Sequence, residues 1–351
     1  MSYSSHPTAD LVIDNLKPAL PYTPGMLLKI KQHIPPPQFG PGYQQPNRRP
    51  LIEDFQERYG MPSRCCLANP PPRPPPHPCQ TTHSLKIASQ IACGDGRGAQ
   101  VVTCHFEGHE ADLFVAKIYD PLYYKWSDFE ITYLADRQYS CEAGAFERLH
   151  SVKKDVDKMR QPGVREVLER SIPSYHGCWT WETTLLDGQR RDVRMILMSH
   201  VPYPSMSSII ERGVAGKIPA ESRMQLLARA FEIYCWLEFF GVRQNDFAPR
   251  NIMVSPDQEQ AVLLDFSHSI VKGLPNSRWM AHVESTPNLP RSPIELFRAS
   301  CGNNMGDWIP NELQAKDAQY RWFMKQWGNS EGFAPVSPEV MRRLDKGDSK
   351  A

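Results

Sequence analysis

The chain has 351 residues, enough for one or two domains with a sizeable core, and its 40 Lys plus Arg against 39 Asp plus Glu leave a formal net charge of +1. That balance argues against a DNA-coating protein or a polybasic membrane binder, and no apolar run reaches the ~18 residues of a transmembrane helix. The nine cysteines, odd in number and without a CxxC pair, read as free thiols of an intracellular (cytoplasmic or nuclear) protein, and Met1 to His6 lack the basic-then-apolar order of a secretory signal.

Prolines divide the chain. Of 33, 18 fall in residues 1–80. Each fixes φ and removes a backbone donor, so residues 1–80 are expected to form a largely disordered extension without a regular core. Pro35-Pro36-Pro37 and the run Pro70–Pro78 favour polyproline II. With Arg73 beside PxxP spacing, the second run suits an SH3- or WW-type partner, and its plainer reading is a stiff spacer. Between the two, Leu51 to Tyr59 patterns as a short helix able to dock on a domain.

From Ser84 the texture changes. Leu85 to Ala88, Val101 to Phe106 and Leu113 to Tyr119 read as strands joined by tight turns, which predicts an antiparallel sheet. A helix is expected from Ile131 to Val152, then a hairpin from Trp179 to Val201 turning at Asp187-Gly188. Ala220 opens a long helix in which Leu226, Leu227, Ala230, Phe231, Tyr234, Leu237 and Phe240 recur at helical spacing, and Gly241 ends it. Short strands follow at Ile252 to Val254 and Ala261 to Leu264, with a last helix from Asp317 to Trp327 whose Trp322, Phe323 and Trp327 read as a packing face. Strands first and helices later predict a two-lobed α+β protein.

Several segments carry chemistry. In the turn Gly94-Asp95-Gly96-Arg97-Gly98-Ala99-Gln100-Val101, glycines let backbone N–H groups approach phosphate oxygens; taken alone, the turn also reads as a flexible hairpin. Lys117, within an apolar strand, faces solvent or an anion. Helical Glu142 could hold that lysine against phosphates, with Glu147 as the alternative partner. Asp246 and Asn251 stand five apart between a helix and a short strand, and Asp265 follows at the end of another apolar strand. Phosphoryl transfer asks a protein mainly to place a hydroxyl in line and to neutralise charge. Asp246 would orient or deprotonate the hydroxyl, while Asn251 and Asp265 would hold Mg2+. Cys93, Cys104, His105 and His109 make a poor zinc set, because strand neighbours point to opposite faces.

This ordered set, from about Ile91 to Ser267, resembles the protein-kinase-like superfamily, in particular the fungal kinase-like proteins and the aminoglycoside and choline phosphotransferases. The resemblance implies an antiparallel-sheet N-lobe over 81–202 and an abbreviated, mainly helical C-lobe over 203–351. It implies a nucleotide site using Gly94, Gly96, Gly98, Val101, Lys117, Glu142 and a hinge at Ser199, His200 and Val201. ATP and Mg2+ would be the cofactors, Asp246 the catalytic residue, and a protein or small-molecule hydroxyl the acceptor, with no nucleic-acid or membrane partner. Gln244 stands where the family usually carries histidine, Ala99 where the third loop glycine would be, and Ser267 closes the metal triplet. Gln244 and the short C-terminal lobe leave a pseudokinase, or nucleotide-binding scaffold with a proline-rich arm, as the alternative.

Overall fold

The computed structural model describes residues 13–43, 52–73, 75, 78, 82–126, 129–155, 164–274, 277, 289–300 and 305–338. The chain forms two compact units, one from Met1–Pro37, Pro46–Ser140 and His176–Ser199, the other from Gln38–Gln45, Cys141–Tyr175 and His200–Ala351.

In the first unit, β1 (Leu27–His33), β2 (Thr82–Ala92), β3 (Gln100–Phe106), β4 (Phe114–Tyr119), β5 (Tyr175–Thr184) and β6 (Arg190–Ser199) close into a barrel in the order β1-β2-β3-β4-β6-β5. Alternation fills it: Leu28 and Ile30, Leu85 and Ile87, Val102 and Cys104, Ala116 and Ile118, and Met195 and Leu197 share one buried core. The sheet is antiparallel as expected, and it closes on itself. The expectation that residues 1–80 hold no regular core is corrected, since β1 pairs with β2 from Leu27↔Lys86 to Lys31↔Thr82 and with β5 from Ile30↔Trp181 to His33↔Cys178. The reason is local. No proline falls between Pro24 and Pro35, and Leu28 and Ile30 alternate there with Lys29 and Lys31.

More of the extension is tied to this barrel. Tyr22 is fully buried and donates its hydroxyl to Asp120 Oδ2 at 2.5 Å, and Arg191 grips the same carboxylate through both terminal nitrogens. The short helix expected near Leu51–Tyr59 is α1 (Phe55–Tyr59), and its Phe55 meets Trp126 edge-to-face at 4.9 Å. Next comes α2 (Pro62–Ala68), which begins on proline and buries Cys65 and Cys66. Polyproline II leaves its carbonyls unpaired. Here Pro72 O accepts from Arg194 at 2.7 Å and Pro75 O from the Ile34 amide at 3.2 Å, so the described part of Pro70–Pro78 lies on the barrel instead of running free as a spacer. Positions 74, 76 and 77 of that run lie outside the described residues.

The second unit is mainly helical. It contains α3 (Ile131–Asp155) from Cys141 onward, α4 (Val164–Ser171), α5 (Met206–Glu211), α6 (Ala220–Phe239), α7 (Pro293–Ser300) and α8 (Lys316–Trp327). Two small antiparallel ladders complete it: β7 (Val242–Arg243), β8 (Ile252–Val254), β9 (Ala261–Leu263) and β10 (Ile270–Val271) pair as β7 with β10 and β8 with β9. Helix α6 is apolar on most faces and is buried accordingly, with Phe231 touching Phe247, Phe297, Phe323 and Trp327. Phe323 and Trp327 form the expected packing face, whereas Trp322 donates to exposed Glu221. Gly241 ends α6 with φ 89°, a left-handed conformation that glycine adopts without a Cβ penalty.

Among the described residues, no helix is long and apolar enough to cross a membrane, and no group of three or more His, Cys, Asp or Glu is placed to hold a metal ion.

Candidate active site

The second unit brings Asp246, Asn251 and Asp265 onto one bonded framework. The loop from Gln244 to Asn251 leaves β7 and passes through a 310 turn, Pro249–Asn251, into β8. Phe247 anchors it by stacking on Phe231 at 5.0 Å and meeting Tyr234 edge-on at 5.5 Å. Asn251 Nδ2 donates to both the Asp246 carbonyl and Asp246 Oδ2 at 2.9 Å, which fixes the aspartate against its own loop. The Arg250 guanidinium also reaches Asp246, with Nη2 at 2.5 Å from Oδ1 and 2.7 Å from Oδ2.

Strand β9 delivers Asp265. The Leu264 amide donates to the Asn251 carbonyl at 2.9 Å, joining the two loops through the backbone. Gln244, with no exposed surface, adds a second link, because its Nε2 donates to the carbonyls of Leu264 and Asp265. Asp265 Oδ1 then accepts from the Ser267 amide at 3.1 Å and its hydroxyl at 2.6 Å. Asn245 (φ 59°) and Asp265 (φ 61°) are two of the three non-glycine residues with left-handed backbone among those described. Such conformations cost of order 1–3 kcal/mol and persist where the surroundings over-determine them. Here, Asn245 Nδ2 is held by the His268 carbonyl at 3.1 Å, and the Gln244 and Ser267 bonds hold Asp265.

Glu142 lies on α3 within this unit. It is buried, and its Oε1 accepts the Phe266 amide at 3.3 Å, one residue past Asp265. Lys117 belongs to the first unit. Glu147, the other carboxylate considered for Lys117, accepts the Tyr175 hydroxyl at 2.8 Å.

In the first unit, Val101 and Lys117 are direct cross-strand partners on β3 and β4, and Lys117 is opposite Ile196 on β6. Alternation puts these three, with Val115 and Met198, on the outer face of the barrel, the inner face being taken by Val102, Ala116, Ile118 and Leu197. These outer positions are themselves covered, with Val115, Ile196 and Met198 buried and Val101 and Lys117 half-buried. The Lys117 ammonium stands 5.8 Å from the Tyr119 ring centroid.

The glycine turn is more braced than its composition suggests. Gly96 and Gly98 take φ of 75° and 60°, left-handed backbone that glycine adopts without a Cβ penalty. Buried Gln100 accepts from the Gly94 amide at 2.7 Å and donates to the carbonyls of Gly94 and Gly98, and the Gly96 amide donates to the Tyr123 carbonyl at 3.0 Å. Two amides that the sequence would aim at phosphate are thus engaged within the turn's own scaffold. Lys17 pairs with Asp95 at 2.6 Å from the other side. Cys93, just before the turn, donates to the Val101 carbonyl, and burial pushes its thiol pKa up. Ser199 closes β6, the units divide between it and His200, and Ser199, His200 and Val201 are all half-buried.

Sequence spacing missed Gln100, Ser269 and the restraint of Asp246 by Arg250. Arg250, four residues after Asp246, is the one of these carrying a readable signal, the (i, i+4) spacing of an ion pair.

No family model matches the chain, and no curated protein matches it. Among solved structures it is similar to vaccinia-related kinase 3, with 14% sequence identity and a TM-score of 0.42, over 77% of this chain and 82% of that chain.

Proposed function

We propose that the protein is an ATP- and Mg2+-dependent phosphotransferase that moves the γ-phosphoryl group to a hydroxyl on a protein or a small molecule. The observation that carries this reading is the bonded cluster of Asp246, Asn251 and Asp265 in the second unit, with Gln244 spanning the two loops. Asp246 orients the acceptor hydroxyl and takes its proton on a carboxylate oxygen. Asn251 and Asp265 would hold Mg2+, which when bound neutralises phosphate charge. Their donors fit that ion: both offer hard oxygens, Ser267 orients the Asp265 carboxylate, and Mg2+ commonly takes one or two carboxylates and completes its shell with water and phosphate oxygens.

In this reading Gly94, Gly96, Gly98, Val101 and Lys117 of the first unit are nucleotide-binding residues, the lysine meeting phosphate oxygens. Ser199, His200 and Val201 bind the base, and Glu142 supports the site from α3. The order of these residues along the chain, and the cross-strand pairing of Val101 with Lys117, support the assignment.

A second reading, a nucleotide-binding scaffold without turnover, is favoured by one specific observation. The Asp246 carboxylate is already engaged by Arg250 and Asn251. Thermal melting with and without MgATP tests nucleotide binding, since a ligand held only by the folded state adds about 2.7 kcal/mol at 100 times its Kd. A rise in Tm that needs Mg2+ supports both readings, and no rise with either nucleotide or metal contradicts both.

A further inference from the structure

Residues 38–43, from the proline-rich extension, sit inside the second unit and not with the barrel. Their contacts converge on the segment that follows Asp265. Tyr43 is buried, and its hydroxyl accepts the Val271 amide at 2.8 Å while donating to the Ser269 carbonyl at 3.3 Å. Tyr43 also forms a bridge to Ser277. The Ser269 hydroxyl is bonded to the Phe266 carbonyl at 2.7 Å and to the Cys141 carbonyl at 3.1 Å, and Cys141 Sγ donates to the Phe39 carbonyl at 3.5 Å. Glu142, the next residue on α3, takes the Phe266 amide. The fit is close: a Cβ at Gly42 would collide with Ile270, and one at Gly144 would collide with the Gln38 side chain.

We propose that Tyr43 is a positioning residue for the site, clamping residues 266–271 to α3 and so holding the Asp265 carboxylate in place. Its consequence for Mg2+ rests on the phosphotransferase reading, while the clamp itself does not. The physical argument is one of strain. Asp265 sits in left-handed backbone, and a residue there relaxes unless the chain on both sides is fixed. Gln244 holds both peptides that flank Asp265, at the Leu264 and Asp265 carbonyls, and Glu142 takes the Phe266 amide. Tyr43, acting through Ser269 and Val271, fixes the chain that follows. A segment that composition marks as part of a disordered extension therefore completes the scaffold around Asp265.

Amide hydrogen exchange tests the clamp on full-length wild type, Tyr43→Phe and Ser269→Ala, without nucleotide, with β8 and β9 peptides as the internal control. Both variants keep their apolar bulk and lose only hydrogen bonds, so about tenfold faster exchange is expected across 266–271 with the control unchanged. In the wild type with Mg2+-dependent turnover, Tyr43→Phe is expected to raise the Mg2+ requirement about tenfold, with the ATP KM within about twofold. Wild-type exchange across 266–271 in both variants overturns the proposal. A uniform rise that includes the control peptides also overturns it, because it marks general destabilisation. Absence of wild-type turnover would count against the phosphotransferase reading alone, since the exchange data judge the clamp without it.

Discussion

Gln244 donates from Nε2 to the carbonyl of Asp265 at 3.2 Å, and to that of Leu264, while showing no surface to solvent. One buried amide thus ties the loop carrying Asp246 to the residue assigned to the metal. Glutamine reaches two carbonyls from one amide nitrogen, where a neutral histidine ring would have a single N–H to offer.

Gln244→Ala removes that bridge and leaves two part-buried carbonyls short of that donor. The expected loss is about 2–3 kcal/mol of unfolding free energy, read by urea titration. Gln244→His, which retains a ring donor, is expected to lose about 1 kcal/mol or less. Equal losses for the two would contradict the bridging role.

The Asp120–Arg191 pair, capped by Tyr22, pins the extension into the barrel. Arg191→Met strands a buried carboxylate and is expected to cost about 3–5 kcal/mol. Adding Asp120→Leu to it should recover a large part of that loss, because the pair's value lies in mutual compensation. A double variant no better than Arg191→Met would show that the pair is not self-compensating.

Strand β1 predicts a clear effect of truncation. A chain beginning at residue 82 lacks the strand that joins β2 to β5, and it should show no cooperative melting transition. Ile30→Ala, which empties part of the barrel interior, is expected to cost about 2–5 kcal/mol. A truncated chain that melted as sharply as the full one would contradict the closed barrel.

His33 supplies a pH dependence. Its Nε2 meets the Tyr139 hydroxyl at 2.6 Å and its Nδ1 the Thr180 hydroxyl at 3.0 Å, with Arg194 donating to that same threonine. Burial first, and the Arg194 charge second, lower its pKa from 6.5 to about 3. The unfolded chain therefore binds a proton that the folded chain refuses, so stability is full above pH 6.5 and is lost as pH falls toward 3. The loss is on the order of 3–5 kcal/mol across that window. His33→Gln should flatten the slope between those limits in urea titrations taken across pH, and an unchanged slope would contradict the assignment.

How much of this was legible varied with the range of the interaction. Strands β3, β4, β8 and β9 and helices α3, α6 and α8 follow from periodicity because each is decided by its own residues, as in the run Leu226 to Leu237. That Asp246 and Asn251 share one loop follows from their spacing, since that loop is short. Strand β1 did not, because proline density averaged over 80 residues hid the proline-free stretch around Leu28 and Ile30. Barrel closure through Ile30↔Trp181 joins positions 151 residues apart, a distance that no local window spans. Tyr43 contacts Val271 across |i−j| of 228 and is invisible for the same reason. Glycine content marks the Gly94–Gly98 turn but says nothing of Gln100 folding back on it.

The central claim is that Asp246, Asn251 and Asp265 form a phosphoryl-transfer site, and transfer of the γ-phosphoryl group from labelled ATP is its most direct measurement. Wild type, Asp246→Asn and Asp265→Asn would be assayed over a Mg2+ titration against protein and small hydroxylated acceptors, with hydrolysis to water scored alongside. Mg2+-dependent turnover in the wild type is predicted, falling by about 100-fold or more in Asp246→Asn at unchanged nucleotide-induced Tm shift. In Asp265→Asn the Mg2+ dependence itself should be lost. Turnover that survives both substitutions, or a wild type inert toward ATP with every acceptor and toward water, would contradict the account.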